Sequence, residues 1–238
     1  VDPRALLLAT LALLVALAAE SRHAVVSLPP FALFPLHLVV LGRIRLGLLG
    51  RRMLVALPFL AIMALPAPLL ETQRVPTPWG ECALGWFTGA SLLGRGVIAI
   101  SAALALSTIL DIPRLGAGLR GLGCPAALVT QLSLLERYLL LLGDEATRIR
   151  QAARLRALAG APGLRLAAAM LAALLGRSID RAERIHLAML QRGFTGLLPH
   201  PPLAPFRRAD AVYLAGWLGF VAVLVLMRPF DGMIGRIP

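Results

Sequence analysis

The sequence predicts an all-α integral membrane protein with about five transmembrane helices and a cytoplasmic insert built on long amphipathic helices. Three observations predict it. The chain is 58% hydrophobic and 15% charged, whereas ordinary soluble domains are roughly 25% charged. Five apolar runs approach the roughly 20 residues needed to cross a bilayer's hydrocarbon core. The charge is also sorted: every basic residue is arginine, the net charge is +12, and most arginines lie between the apolar runs. Without lysine, the phosphate-binding loop GxxxxGK[ST] and Schiff-base chemistry are excluded.

The first run, Ala5–Ala19, resembles a signal-peptide core but has no convincing small-residue cleavage site, so it is read as a retained span. The second, Ala24–Leu41, is interrupted by Pro29, Pro30 and Pro35. Prolines inside a span need neighbouring helices to cover the freed backbone groups, so this span is expected to be kinked and packed or partly re-entrant. Met53–Leu70 is the third run, with Pro58 and Pro66; Trp86–Leu110 is the fourth, with Arg95 inside it; Asp210–Met227 is the fifth. Arg95 is the one intramembrane charge. It either faces the bundle interior or snorkels to the interface near Trp86 and Phe87.

Orientation follows from the connecting segments. Gly42–Arg52 carries four arginines, whereas Glu71–Glu81 carries one arginine and two acids. The positive-inside rule places the former in the cytoplasm and the latter outside. The N-terminus is then inside and the C-terminus outside. Three regions result: a four-span bundle over 1–110, a cytoplasmic insert over 111–209, and a last span with its tail over 210–238.

The insert begins with a short interfacial helix and a turn around Gly123-Cys124-Pro125. Ala126–Leu158 then forms one long helix, Ala159–Gly163 breaks it, and Leu164–Gln191 forms a second that ends near Gly193. Apolar residues recur at alternating steps of four and three in both. The seams run Leu135, Leu139, Leu142, Ala146, Ile149, Ala153 and Leu171, Leu175, Ser178, Ala182, Ile185, Met189. Such narrow seams predict that the helices pack on each other or beneath the membrane domain.

Most arginines of the insert are expected to lie on anionic headgroups or to pair at i,i+4 with Asp144, Glu145, Asp180 and Glu183. Arg156 and Arg192 differ, because each stands at the C-terminal end of a long helix before a small residue, Ala157 or Gly193. A terminal arginine complements the helix dipole, and its planar fork also grips carboxylates with two bonds. Nucleic-acid binding is disfavoured, since no aromatic residues interleave the charge. Cys82 and Cys124 lack CxxC spacing and read as apolar fillers. His23, His37, His186 and His200 form no metal-ligand spacing. A rival reading is an intramembrane enzyme acting on a phosphorylated lipid, with Arg137, Arg148, Arg181 and Arg184 on the phosphate and Glu183 or His186 as base.

Several short motifs occur in a telling order: Asp2-Pro3-Arg4 before the first span, Arg95 in the fourth, then Ser107-Thr108, Asp111-Ile112-Pro113 and Leu119–Pro125. Arg137-Tyr138 and Asp144-Glu145 follow in the first long helix, and Ala188–Phe194 closes the second. In this order the chain resembles the transmembrane T component of energy-coupling factor transporters, in the cobalt/nickel branch (CbiQ-like). The resemblance implies a non-catalytic subunit of a bacterial inner-membrane uptake system. Its implied partners are two ATP-binding ABC ATPase subunits and a substrate-binding membrane subunit, with room for a small accessory one. ATP would sit on the ATPases and Co²⁺ or Ni²⁺ on the substrate-binding subunit, with no cofactor or metal on this chain. The resemblance further implies that two crossed coupling helices end in triplets whose arginines dock in the ATPases. Here these are Leu155-Arg156-Ala157, with Arg154 as the alternative, and Gln191-Arg192-Gly193. Arg120, Arg137, Tyr138, Glu145, Arg184 and Phe194 would belong to the coupling helices and their interfaces. A vitamin-transporting relative would share these features.

Overall fold

The computed structural model describes residues 1–20, 25, 27–71, 74–77, 80–156, 163–197 and 205–227. In chain order the elements are α1 (Pro3–Ala19), a 3₁₀ turn (Pro29–Ala32), α2 (Leu33–Leu41), α3 (Leu46–Ala64), α4 (Pro66–Leu70), β1 (Arg74–Thr77), β2 (Gly80–Ala83), α5 (Leu84–Ile109), α6 (Ile112–Gly121), α7 (Ala126–Arg156), α8 (Leu164–Gln191) and α9 (Arg208–Met227). The chain forms two compact units. One comprises Val1–Arg114 with Ala204–Pro238, and the other Leu115–Leu203.

In the first unit, α1 starts where the sequence supplies a cap. Asp2 accepts a hydrogen bond from the Arg4 N–H at 2.9 Å, and Pro3 occupies the first helical position, where no N–H is needed. Asp210, in the first turn of α9, ties that helix to α1. One carboxylate oxygen accepts from the Asp2 N–H at 2.8 Å and the other from the Arg207 N–H at 3.2 Å. One side chain thus serves two helix N-termini, and α1 and α9 run side by side in the same direction.

α5 is the central helix and packs against α1, α2, α3 and α4. Its 26 residues give a length of about 39 Å, more than the hydrocarbon thickness. Three of its glycines set how closely the neighbours approach. A Cβ on Gly85 would collide with the backbone of Ala67 and Pro68, one on Gly89 would lie 3.2 Å from the Ala64 carbonyl oxygen, and one on Gly96 would collide with Leu60. This is the small-residue packing that lets membrane helices approach without a hydrophobic drive between them. Gly85→Ala is therefore expected to destabilise the first unit by about 1–3 kcal/mol, because backbone cannot move aside as a side chain does. Unfolding of the detergent-solubilised protein in a denaturing detergent checks it, with the open position Gly47→Ala as control.

The five apolar runs all form helix, with adjusted limits. Among its described residues the proline-rich second run yields the 3₁₀ turn and the nine residues of α2, too short for a full crossing. Its buried side chains Phe31, Phe34 and Leu38 pack into the core, and Phe34 meets Trp217 of α9 edge to face at 4.8 Å. The third helix starts at Leu46 rather than Met53, so Arg51 and Arg52 ride on its first turns. Arg52 reaches Thr108 of α5 at 3.4 Å. Pro58 stays inside α3, whereas Pro66 begins α4. Part of the segment expected to be an external connection pairs as an antiparallel hairpin, Arg74 opposite Ala83 and Thr77 opposite Gly80. The tail after Met227 lies outside the described residues, as do His23 and His200.

Four helical stretches are long and apolar enough to cross a membrane: Leu46–Leu70, Leu84–Ile109, Ala126–Leu155 and Arg208–Leu226. Pro3–Ala19 and Pro29–Leu41 are apolar but shorter. Ala126–Leu155 belongs to the insert, where the sequence predicts no spanning run. Apart from Glu136 and Arg137, its charged residues, Asp144, Glu145, Arg148, Arg150 and Arg154, fall in the later part of this stretch, so its apolar character belongs mainly to the first half.

Candidate functional site

The second unit is built on α7 and α8, and both helices follow their sequence signals. α7 ends at Arg156, ahead of the Gly- and Pro-containing break. α8 begins after Gly163, whose extended backbone (φ −62°, ψ 163°) makes it the N-cap. The C-terminus of α8 closes in a Schellman motif. Gly193 takes φ +76°, its N–H reaches the Leu190 carbonyl at 3.0 Å, and the Phe194 N–H reaches the Met189 carbonyl at 3.0 Å. α6 closes in the same way at Gly123 (φ +89°), where the Cys124 N–H bonds the Leu119 carbonyl and the Gly123 N–H the Arg120 carbonyl. Gly123 of the Leu119–Pro125 motif and Gly193 of the Ala188–Phe194 motif are thus required by backbone geometry. Gly193→Ala is expected to destabilise the α8 terminus by about 1 kcal/mol, since a Cβ disfavours the left-handed conformation. Faster amide exchange at Phe194 would report it, with Gly176→Ala, in open helical space, as the reference.

α7 and α8 cross and then splay apart. At the crossing, Arg177 of α8 contacts Glu145 of α7, Nη1 to Oε1, at 2.5 Å; the Glu145 side chain is 18% exposed. Arg177 therefore finds its acid on the other helix and not at i,i+4. On one side of the crossing the helices open a largely apolar groove of roughly 1020 Å³, lined among others by Leu135, Tyr138, Leu142, Ile185, Met189 and Phe194. On the other side lies a groove of about 760 Å³, lined by Glu145, Arg148, Ile149, Ala153, Leu166 and Met170. The seams predicted from sequence thus meet only in part. Leu135 and Leu139 remain about 60% exposed, because the helices have already separated there. In the first half of α8 the face toward α7 is Leu166, Met170, Ala173 and Arg177, while Leu171 and Leu175 point elsewhere and are about 60% exposed. A straight α-helix drifts from a 3.5-residue seam, and the crossing at Arg177 sets the phase for the earlier turns.

Arg192 is the C-cap residue of α8 and is exposed, beside the negative end of the helix dipole. Phe194 turns back to the groove next to Met189, the apolar contact that accompanies this cap. Arg156 is the last helical residue of α7; its side chain, and all of Ala157, lie outside the described residues. Arg154 is exposed near that end. From the crossing, Arg156 lies about 16 Å further along α7 and Arg192 about 22 Å along α8, given the 1.5 Å rise per residue. The helices are joined through residues 157–163, so the two C-terminal tips lie on opposite sides of the crossing. Tyr138 is part-buried in the larger groove, Arg137 and Arg184 are exposed, and Arg120 is part-buried on α6. The arginines considered for a lipid phosphate are not gathered, with Arg181 in the larger groove, Arg148 in the smaller and Arg137 on the surface.

Arg95 is the twelfth residue of α5, far from the Trp86 end. It is half-buried. The bundle-interior alternative fits this position. Asp210 has a structural role that no sequence pattern signals, because its partner Asp2 is 208 residues away in the chain. Among the described residues no group of three or more His, Cys, Asp or Glu side chains is placed to hold a metal ion.

A helical membrane bundle joined to a unit of two crossed amphipathic helices defines a class of multi-pass membrane protein. The family model described as CbiQ, cobalt transport protein, matches residues 1–202, most of the chain. The protein belongs to this family and is a component of cobalt transport, in agreement with the resemblance read from its motifs. No curated protein matches the chain.

Proposed function

We propose that this chain is the energy-coupling subunit of an ATP-driven cobalt or nickel uptake transporter. The observation that carries the reading is the crossed pair α7 and α8, with an arginine at each C-terminal tip on opposite sides of the crossing. Two separated tips suit two equivalent ATPase subunits, one for Arg156 and one for Arg192, with Gly193 shaping the second tip. The crossing at Glu145 and Arg177 would make the two arms move together when the ATPases close. The larger groove, apolar and open, suits a membrane partner such as the substrate-binding subunit. The parallel start of α1 and α9 supports an odd number of crossings and hence termini on opposite faces, with the arginine-rich Gly42–Arg52 segment and the 111–209 insert in the cytoplasm.

On this reading the chain neither hydrolyses ATP nor holds the transported ion. Purified alone in detergent, it is expected to show no ATPase activity and no Co²⁺ or Ni²⁺ binding at micromolar concentration by calorimetry. Co-purified with its ATPases, the complex should hydrolyse ATP. Micromolar metal binding by the isolated chain would contradict the assignment of the ion to another subunit. Uptake of a vitamin in place of the metal by the assembled system would assign it to the vitamin-transporting relatives.

A further inference from the structure

The connection between α2 and α3 carries a backbone outlier. Among the described residues Arg43 alone of the non-glycine residues takes a positive φ, +47°, a conformation in which an L side chain crowds its own backbone. The turn is a Schellman closure of α2. The Ile44 N–H donates to the Val39 carbonyl at 3.0 Å and the Arg43 N–H to the Val40 carbonyl at 3.2 Å. Glycine is the usual occupant of the place that Arg43 holds. The glycine here stands one residue earlier, at Gly42, where a Cβ would come within 2.7 Å of Ile109 of α5. The chain thus uses its glycine for packing and sets an arginine in the strained position. Strain of this kind points to use of the side chain. Arg43 is exposed, as are Arg45, Arg51 and Arg52. Residues 42–52 contain no acid, and none of these four arginines forms an ion pair among the described residues. Their apolar neighbours Val40, Leu46 and Leu48 are exposed as well. Exposed arginines interleaved with exposed apolar side chains match a surface that is anionic on one side and hydrocarbon on the other. The helical stretch Leu46–Leu70 has 25 residues, a length of about 38 Å, or about 8 Å more than the hydrocarbon core. That surplus, taken at the basic end, puts Arg51 and Arg52 at headgroup level beside the connection.

We propose that Arg43, Arg45, Arg51 and Arg52 form a site for the phosphate group of an anionic phospholipid of the bilayer, with Val40, Leu46 and Leu48 against its acyl chains. Arginine keeps its charge in any setting and donates paired hydrogen bonds to phosphate oxygens. Complementing the dipole of α2 accounts for a charge at Arg43, but not for three further arginines beside it without an acid. The proposal rests on Leu46–Leu70 crossing the membrane and not on the coupling role, so either can fail alone.

The test is lipid binding by the full chain in a neutral detergent, titrated with dioleoyl-phosphatidylglycerol or dioleoyl-phosphatidylcholine in mixed micelles and followed by native mass spectrometry. Wild type should bind phosphatidylglycerol at least about tenfold more tightly than phosphatidylcholine. Arg43→Gly should weaken phosphatidylglycerol binding about fivefold. Its heat stability in phosphatidylcholine should stay at or above that of wild type, because glycine takes the left-handed turn without strain. Arg43→Lys, which keeps the charge, should bind within about twofold of wild type. Arg51→Gln with Arg52→Gln, where the backbone is ordinary helix, should weaken binding about 25-fold and carries the test if Arg43→Gly fails to fold. Equal binding of the two lipids by wild type would overturn the proposal, and so would unchanged phosphatidylglycerol binding by these variants. Displacement of the lipid by millimolar inorganic phosphate would also overturn it, since the site would then take a free anion. Loss of Co²⁺ uptake in cells carrying Arg43→Gly, with lipid binding unchanged, would assign the arginine to a protein partner instead.

Discussion

Asp210→Ala is expected to destabilise the membrane bundle measurably, although the residue lies at the very start of a helix and away from the apolar core. The carboxylate accepts the N–H groups of Asp2 and Arg207, and it is only 8% exposed. Its removal takes the acceptor from two part-buried hydrogen bonds and deletes the reciprocal cap of α9. Asp210→Asn keeps one acceptor and should lose about half as much. Unfolding in mixed detergent measures both. Stability should rise in the order Ala, Asn, wild type, and α1 should separate from α9 before the rest of the bundle opens. An Ala variant as stable as wild type would show that the tie contributes nothing.

The second large effect is expected at the helix tips. Arg156→Glu with Arg192→Glu should leave the chain folded, since Arg192 is exposed and makes no ion pair among the described residues, and Arg156 is the last residue of its helix. The loss falls on the complex instead. An arginine docked against carboxylates gains charge-assisted, two-pronged hydrogen bonds, and an acid in its place sets like charges together. Truncating one partner of a buried charged pair costs about 2–5 kcal/mol, so each reversal should weaken its arm by at least that much. On the proposed coupling role the two arms engage one pair of ATPases, so each single variant would retain an anchored arm, and the double variant should lose far more than either. Co²⁺ uptake should follow the same order.

Much of the fold is legible in the sequence because its signals are local. Apolar length places the helices, and Gly193 and Gly123 mark their stops through the backbone conformations they permit. The limits of α8 come directly from Gly163 before it and Gly193 after it. What stays hidden depends on longer range. Met53 looks like the start of α3 because the arginines before it resemble a loop, but Arg51 and Arg52 on the first turns of a helix still reach water, and Arg52 finds Thr108. The phase of α8 before Arg177 is set by where α7 crosses it, which no property of α8 alone reveals. Arg177 itself resembles a headgroup or i,i+4 arginine, yet it meets Glu145, 32 residues away in the chain. At the candidate site, the tips Arg156 and Arg192 are legible as helix ends, whereas the two grooves between the arms exist only through the crossing itself.

The most direct test of the coupling account is capture of the ATPases from detergent-solubilised membranes by four versions of this chain: wild type, Arg156→Glu, Arg192→Glu and the double variant. The account predicts that wild type retains both ATPases, each single variant retains less, and the double variant retains none while eluting as a folded protein. Equal capture by all four would contradict it and leave these arginines as caps of their own helices.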